Sequence, residues 1–343
     1  MKKVTLQQIA NSLGVSRTTV WKVFNGHEGV SETLKNRIMN KAKELGYKFP
    51  ESSDDFQVPL SAPPVNIAVA VCRPETSIFW LTIIHQIAKE LSTHNVNLVY
   101  TYLPTDFRGD YTLPSSLTNG SIHGIIIMNV YNPQFLRLLA ACPVPKVFLD
   151  TSTWVPAAEL NGDLILTENY ASTSKITEHL IEQGRKSFGF IGDINYAMSN
   201  YERFQGFSRT LQQYGLPVDL NLSLISSIGI DTYKEEIDTF LDTLPSMPEA
   251  FVCVNDYVGC ILIQLLSKRG IQIPEDVAIS GFDGNTENPL AENLTTVQVF
   301  NQSIGVRLAL QILYRIEHPN PPYEITYIGS KVIFRGSTGD NKI

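Results

Sequence analysis

The chain has 343 residues, enough for two or three domains, and 43% hydrophobic with 18% charged residues is a globular composition. The longest apolar runs are far shorter than a membrane span, and polar residues interrupt the N-terminal stretch where a signal peptide would have its apolar core. The four cysteines form no CxxC pair, which is typical of a reducing compartment. We therefore expect a cytoplasmic protein with no membrane association.

The net charge of -7 is distributed unevenly. Residues 1–50 hold nine lysine or arginine and three glutamate residues, a net charge of +6, whereas the remainder of the chain has a net charge of -13. A small basic segment attached to a large acidic body indicates a nucleic-acid reader joined to a domain of another kind.

Three short helices are predicted in the basic segment. Thr5 begins a capping box, and apolar residues then recur at helical spacing up to Gly14, which permits a tight turn. Ser16 and Ser31 are good N-caps for a second and a third helix. Three helices with a glycine turn between the first two are typical of a helix-turn-helix.

In a helix-turn-helix the second helix enters the major groove of DNA. Basic and polar side chains on its outer face are expected to pair with base edges, and hydroxyls and amides nearer its rim suit phosphate contacts. The predicted base-reading residues are Arg17, Thr18 and Lys22. The predicted phosphate contacts are Thr5, Ser16, Thr19 and Asn25.

From residue 65 onward, short apolar strands alternate with amphipathic helices. Continuous apolar strands separated by helices predict parallel sheets covered on both faces, and the length of this region predicts two lobes. In such folds a ligand binds where loops leave the carboxyl ends of strands, and a cleft between lobes is the expected site.

Polar residues stand at several of these predicted strand ends. Asp150, Asn255 and Asp283 each follow an apolar run, and Arg203 lies just after a loop. Carboxylates, an amide and a guanidinium that converge on a cleft suit a polyol, because sugar hydroxyls both donate and accept hydrogen bonds. An aspartate at a strand end also commonly caps the next helix, which is the interpretation we give Asp193 and Asp256.

The run VTLQQIANSLGVSRTTVWKVFNG and the later stretch IPEDVAISGFDG, followed by LTTVQ, resemble the lactose-repressor (LacI/GalR) family of bacterial transcription regulators. The resemblance covers nearly the whole chain. It departs from the family at Trp21, where serine is usual. It implies an N-terminal all-α helix-turn-helix headpiece followed by a two-lobed α/β domain of the periplasmic-binding-protein-like fold.

The resemblance also implies domain boundaries and effector positions. The headpiece spans 1–50 and the linker 51–64; the N-terminal lobe comprises 65–166 plus 295–322, and the C-terminal lobe 167–294 plus 323–340. The effector positions of the family fall here on Phe79, Asp150, Ser199, Arg203, Asn255 and Asp283. Arg73 favours an anionic effector such as a sugar phosphate, although a plain surface arginine is the simpler interpretation.

The linker departs from the family pattern. In the family this stretch forms a hinge helix that wedges a leucine into the minor groove, and Phe56 stands at that position here. Three acidic residues would face phosphates without a basic residue to offset them, which favours a flexible linker over a DNA-bound hinge helix. A minor-groove wedge by Phe56 remains the alternative.

Three classes of function are compatible with this organisation: a DNA-binding regulator, a solute-binding sensor that acts through a protein partner, and an α/β enzyme. The basic outer face of the second helix argues against the sensor. The chain lacks GxGxxG, GxxxxGK[ST] and GxSxG, and its six histidines share no ligand spacing. We therefore expect no enzyme, no cofactor and no metal. The chain is expected to be a homodimeric repressor with operator DNA and a carbohydrate effector as partners.

Overall fold

The computed structural model describes residues 5–24, 30–45, 47, 65–72, 77–229, 232–284 and 288–340. The chain forms two compact units, Met1–Pro63 and Pro64–Ile343. Within the described ranges no helix combines the length and the apolar character that a membrane crossing needs.

The first unit contains three helices, α1 (Leu6–Leu13), α2 (Arg17–Phe24) and α3 (Glu32–Glu44). Thr5 and Gln8 form the predicted capping box, in which each side chain bonds the backbone N–H of the other residue. Gly14 ends α1 with a φ of 69°, a left-handed conformation that glycine adopts without strain. A small apolar core of Ile9, Ala10, Val20, Ile38 and Ala42 holds the three helices together.

The second unit alternates strands with helices. Its strands are β1 (Asn66–Cys72), β2 (Asn97–Leu103), β3 (Gly124–Met128), β4 (Lys146–Leu149), β5 (Asp163–Thr167), β6 (Phe188–Ile191), β7 (Ala250–Cys253), β8 (Ala278–Ser280), β9 (Thr296–Gln298), β10 (Ile325–Ile328) and β11 (Lys331–Ile333). Its helices are α4 (Ile78–Thr93), α5 (Ser115–Thr118), α6 (Pro133–Ala140), α7 (Tyr170–Glu182), α8 (Met198–Gln213), α9 (Tyr233–Thr243), α10 (Asp256–Lys268) and α11 (Asn301–Glu317).

Two parallel sheets form the cores of two lobes. The N-terminal lobe is built on a six-stranded sheet of order β10-β5-β4-β3-β1-β2, against which α4 and α11 pack side by side. The C-terminal lobe is built on the parallel sheet β6-β7-β8 and the antiparallel pair β9-β11, covered by α7, α8 and α10. Nearly every residue of β1, β3 and β4 is buried, as both faces of each sheet are covered.

The course of the chain near its C-terminus differs from the expected boundary. Sequence analysis assigns residues 323–340 to the C-terminal lobe, but β10 pairs in parallel with β5 at the edge of the N-terminal sheet. The chain passes to the C-terminal lobe only after Ile328, because β11 then pairs with β9. The pattern of β10, with two exposed residues in four, gives no continuous apolar run by which it could have been recognised.

A buried ion pair fixes this returning segment. The Arg315 guanidinium on α11 bonds both carboxylate oxygens of Asp163 at the start of β5, at 3.0 and 2.5 Å, and each side chain is at least 98% buried. Asp163 also accepts the backbone N–H of Glu324, at 2.9 Å, just before β10. Arg315 donates further to the carbonyls of Pro321 and Pro322. The pair therefore joins α11, β5 and the approach to β10.

Candidate ligand cleft and nucleic-acid interface

A cleft of about 1590 Å³ lies between the two lobes, at the carboxyl ends of their strands. All six residues predicted at effector positions line it: Phe79, Asp150, Ser199, Arg203, Asn255 and Asp283. The fold thereby brings together residues that lie up to 204 positions apart in the sequence. Their role toward a ligand stays a prediction.

Arg203 on α8 forms the floor of the cleft and is only 7% exposed. Its Nε donates to Asn169 Oδ1 at 3.0 Å and its Nη1 to the Val254 carbonyl at 2.7 Å. Its guanidinium lies 3.6 Å from the centre of the Phe282 ring, a cation–π contact. These contacts hold the guanidinium plane in place, and two of its five N–H donors suffice for them.

Asp283 lies three residues after the end of β8 and faces Arg203. One carboxylate oxygen lies 3.7 Å from Arg203 Nη2. Burial raises the pKa of Asp283 to about 6, although the positive charge of Arg203 acts in the opposite direction. The residue has a φ of 108°, outside the ordinary regions for a non-glycine residue, which is a form of strain common at functional sites.

Asp150 connects the two lobes. Its Oδ2 accepts a 2.6 Å hydrogen bond from the Ser199 hydroxyl, and its Oδ1 accepts the Ser199 N–H at 3.3 Å. Next to it, the Thr151 carbonyl accepts the Met198 N–H at 2.7 Å. Burial raises the pKa of Asp150, and the hydrogen bonds from Ser199 and Thr151 lower it. In this structure Asp150 and Ser199 therefore bond to each other across the cleft.

The N-cap of the helix that follows β7 is Asn255 and not Asp256, to which sequence analysis gave this role. Asn255 is the N-cap of α10, and its Oδ1 accepts the Val258 N–H at 2.9 Å, which leaves one oxygen lone pair and the amide N–H₂ group for a ligand. The Asp256 carboxylate does not cap a helix in this way; it accepts the Thr296 hydroxyl at 2.6 Å. Asp193 accepts the Asn195 N–H, a turn bond rather than a helix cap.

Aromatic side chains line the cleft from both lobes. Phe79 and Trp80 on α4 make an edge-to-face contact with ring centres 4.9 Å apart, and both line the cleft while packing against the core. Trp154, in contrast, is 63% exposed and does not line the cleft.

Sequence analysis missed five tyrosines that line the cleft, one of which is Tyr102 on β2. Tyr131 and Tyr196 meet across the cleft with ring centres 4.6 Å apart, and Tyr233 and Tyr257 make an edge-to-face pair at 5.9 Å in the C-terminal lobe. Tyr233 is the last residue of the stretch SSIGIDTY. Burial raises its pKa to about 12. Tyr131 lies three residues after β3, a position near a strand end that could have pointed to it, whereas Tyr233 and Tyr257 lie in the first turns of α9 and α10.

In the first unit, Arg17 and Lys22 are exposed on α2 while Val20 is buried on the opposite side. Ser16 accepts the Thr19 N–H at 3.0 Å, and the two hydroxyls bond each other at 2.8 Å. Both hydroxyls therefore lie at the N-terminal end of α2, where backbone N–H groups attract phosphate. Thr5 holds the corresponding place before α1.

Several predicted positions lie outside the described residues. These are the side chains of Thr18 and Trp21 and the residues Asn25, Phe56 and Arg73. Among the residues that are described, no cluster of three or more histidine, cysteine, aspartate or glutamate side chains has the arrangement of a metal site.

Comparison with known proteins gives two matches to family models. Residues 5–49 match bacterial regulatory proteins of the lacI family, and residues 177–338 match a periplasmic binding protein-like domain. The chain is 26% identical over 318 residues to the HTH-type transcriptional repressor PurR of Haemophilus influenzae (strain PittEE), which covers 92% of this chain and 91% of that protein.

Two solved structures share the fold over nearly the whole chain. A complex of the transcriptional regulator CelR with cellobiose has a TM-score of 0.68 and 22% identity, and covers 98% of this chain and 100% of that one. The lac repressor dimer bound to operator and the anti-inducer ONPF has a TM-score of 0.68 and 19% identity, and covers 98% and 99%.

Proposed function

We propose that this chain, a member of the lactose-repressor (LacI/GalR) family of bacterial DNA-binding transcriptional regulators, is a repressor whose operator affinity is set by a small molecule in the cleft. The effector is a sugar or a sugar derivative. Two copies of the chain present their headpieces to the two halves of a pseudo-palindromic site. This proposal favours DNA over a protein as the partner of the headpiece.

The exposed basic face of α2 supports the DNA part of the proposal. Arg17 and Lys22 are free of the apolar core and suit guanine acceptors in the major groove. The hydroxyls of Thr5, Ser16 and Thr19 are assigned to phosphate contacts, which set the register of the protein on DNA. The polar cleft and its aromatic rings support a sugar as the effector.

The contact between Asp150 and Ser199 carries the regulatory part of the proposal. Because the carboxylate in one lobe already bonds a hydroxyl and an N–H in the other, a ligand hydroxyl that enters must compete with or extend this bond. The relative free energy of two lobe arrangements therefore depends on the occupant of the cleft. An effector shifts DNA affinity by the difference between its affinities for those arrangements. In a dimer the angle between lobes is coupled to the spacing of the headpieces.

Selection of genomic DNA fragments by the full-length protein tests this function. We expect recovery of one or a few pseudo-palindromic sites at low and moderate salt, because base contacts resist salt better than phosphate contacts alone. Candidate sugars and sugar phosphates are added in parallel to supply a co-repressor. Binding that is sequence-blind under every condition would contradict the proposal and would favour a protein partner for the headpiece.

A further inference from the structure

The cleft is larger than a single sugar ring requires. Its volume of about 1590 Å³ exceeds the roughly 300–1,000 Å³ of ordinary small-ligand pockets. This volume does not reflect lobes that have separated, because Asp150 bonds Ser199 and Tyr131 contacts Tyr196 between them. One sugar ring would leave much of the cleft filled with water.

Burial in the cleft follows a gradient from a polar floor to an aromatic mouth. Arg203 and Asp150 are at most 9% exposed, whereas Tyr257 is 57% and Phe300 44% exposed. Tyr257 lies in the first turn of α10 in the C-terminal lobe, and Phe300 precedes α11 in the N-terminal lobe. Exposed rings on both sides of a cleft are apolar surfaces without a cover, and the C–H face of a sugar ring suits them.

The charges of the cleft disfavour an anion. Its described lining residues include three carboxylates, Asp150, Asp256 and Asp283, but one basic side chain, Arg203. The charge of Arg203 is already offset by Asp283, whose carboxylate lies 3.7 Å from Nη2. A phosphate or carboxylate group on the ligand would therefore meet more negative than positive charge. Hydroxyl groups, in contrast, donate to the carboxylates and accept from the guanidinium and amides.

We infer that the effector is an uncharged oligosaccharide of at least two rings, with its inner ring over Arg203 and its next ring in the mouth between Tyr257 and Phe300. This inference rests on the proposed function, whose effector it narrows to one chemical class. It assigns Tyr257 as a specificity-determining residue, because the ring contacts the second sugar unit and not the first.

Calorimetric titration of the full-length protein tests the inference. The probes are glucose, galactose, mannose and xylose, their β-1,4-linked dimers and trimers, maltose and maltotriose, and glucose 6-phosphate. We expect at least one dimer or trimer to bind about tenfold or more tightly than its own monosaccharide, and glucose 6-phosphate to bind more weakly than glucose. A monosaccharide or the phosphate as the tightest ligand, or no binding by any probe at ~10 mM, would overturn the inference.

A pair of variants locates the second ring. Tyr257→Ala should weaken the oligosaccharide roughly three- to tenfold and leave the affinity for the monosaccharide unchanged. Tyr214→Ala, at an exposed tyrosine outside the cleft, is the matched control and should change neither affinity. Equal losses for oligosaccharide and monosaccharide in Tyr257→Ala would also overturn the assignment.

Failure of this inference can be told from failure of the proposed function. If the protein selects an operator and only a monosaccharide or a sugar phosphate changes its occupancy, the proposed regulator stands and the oligosaccharide effector does not. If no operator is selected, the proposed function fails whatever the cleft binds.

Discussion

Asp283 is a carboxyl group whose proton is held more tightly in the folded chain than in the unfolded one. Burial raises its pKa from 3.8 to about 6 against the charge of Arg203, and its side chain is 26% exposed. The folded protein therefore binds more protons than the unfolded chain between about pH 4 and 6, and its stability falls as pH rises through that window. Above pH 6 the carboxyl group is ionised in the folded protein as well, and the loss in free energy of unfolding reaches its full value of at most about 3 kcal/mol.

Replacement of Asp283 by asparagine should remove this cost. Relative to the wild type, the melting temperature of Asp283→Asn should rise as pH increases from 4 to 7. Glu236→Gln is a control of opposite sign, because hydrogen bonds from Thr232 and Gly229 lower the pKa of Glu236, so its carboxylate stabilises the fold at higher pH. Parallel pH profiles for the two variants would contradict the assignment.

At the scale of single elements, one side chain, Arg315, connects α11 to β5. Removal of Arg315 leaves Asp163 buried and without its counter-ion, so Arg315→Ala should lower the free energy of unfolding by about 3–5 kcal/mol. Arg307 on the same helix makes an exposed 3.9 Å pair with Glu324, and Arg307→Ala should cost about 0–1 kcal/mol. Urea denaturation of both variants measures the difference. Equal losses in the free energy of unfolding would show that the buried ion pair stabilises the fold no more than the exposed one.

In the recognition helix α2, Lys22 is assigned to a base edge. Lys22→Ala should weaken operator binding by about 1–3 kcal/mol and relax the preference at one base pair. Lys43→Ala, an exposed lysine in the last turn of α3, removes the same charge and should affect all sequences alike. Binding to a set of operators with single base changes distinguishes them; a uniform loss in Lys22→Ala would make Lys22 a phosphate contact.

How far each element could be predicted follows from its burial. The apolar strands β1, β3 and β7 and the helix α10 were recognisable because continuous or periodic apolar residues mark them. The edge strand β10 was not, since half of its residues face solvent. In the cleft, Arg203 and Asp283 stand in motifs that fix their place. Whether Tyr196 and Tyr257 line the cleft depends on how the two lobes meet, and the local spacing of residues does not encode this arrangement.

At the scale of the whole molecule, the proposed homodimer needs a face for the second copy. Leu81 on α4 and Tyr100 on the edge strand β2 are large apolar residues that are exposed on neighbouring elements outside the cleft, and exposed apolar surface of this kind is typical of interfaces. Leu81→Asp should shift sedimentation from dimer to monomer and raise the protein concentration needed to occupy an operator. Leu220→Asp, at an exposed leucine elsewhere, should leave both unchanged. A dimer that tolerates Leu81→Asp would place the interface on another face.

The late strand β10 also affects how the protein is made. The N-terminal sheet receives its sixth strand, and Asp163 receives Arg315, only after residues 315–328 have been synthesised. At about 5–20 residues per second, the ribosome needs roughly 10–30 s to travel from the end of β5 to the end of β10. During that interval the edge of β5 lacks β10, and the side of the sheet that α11 covers lacks this helix. The nascent chain therefore offers chaperones a defined target until residue 328 has been synthesised.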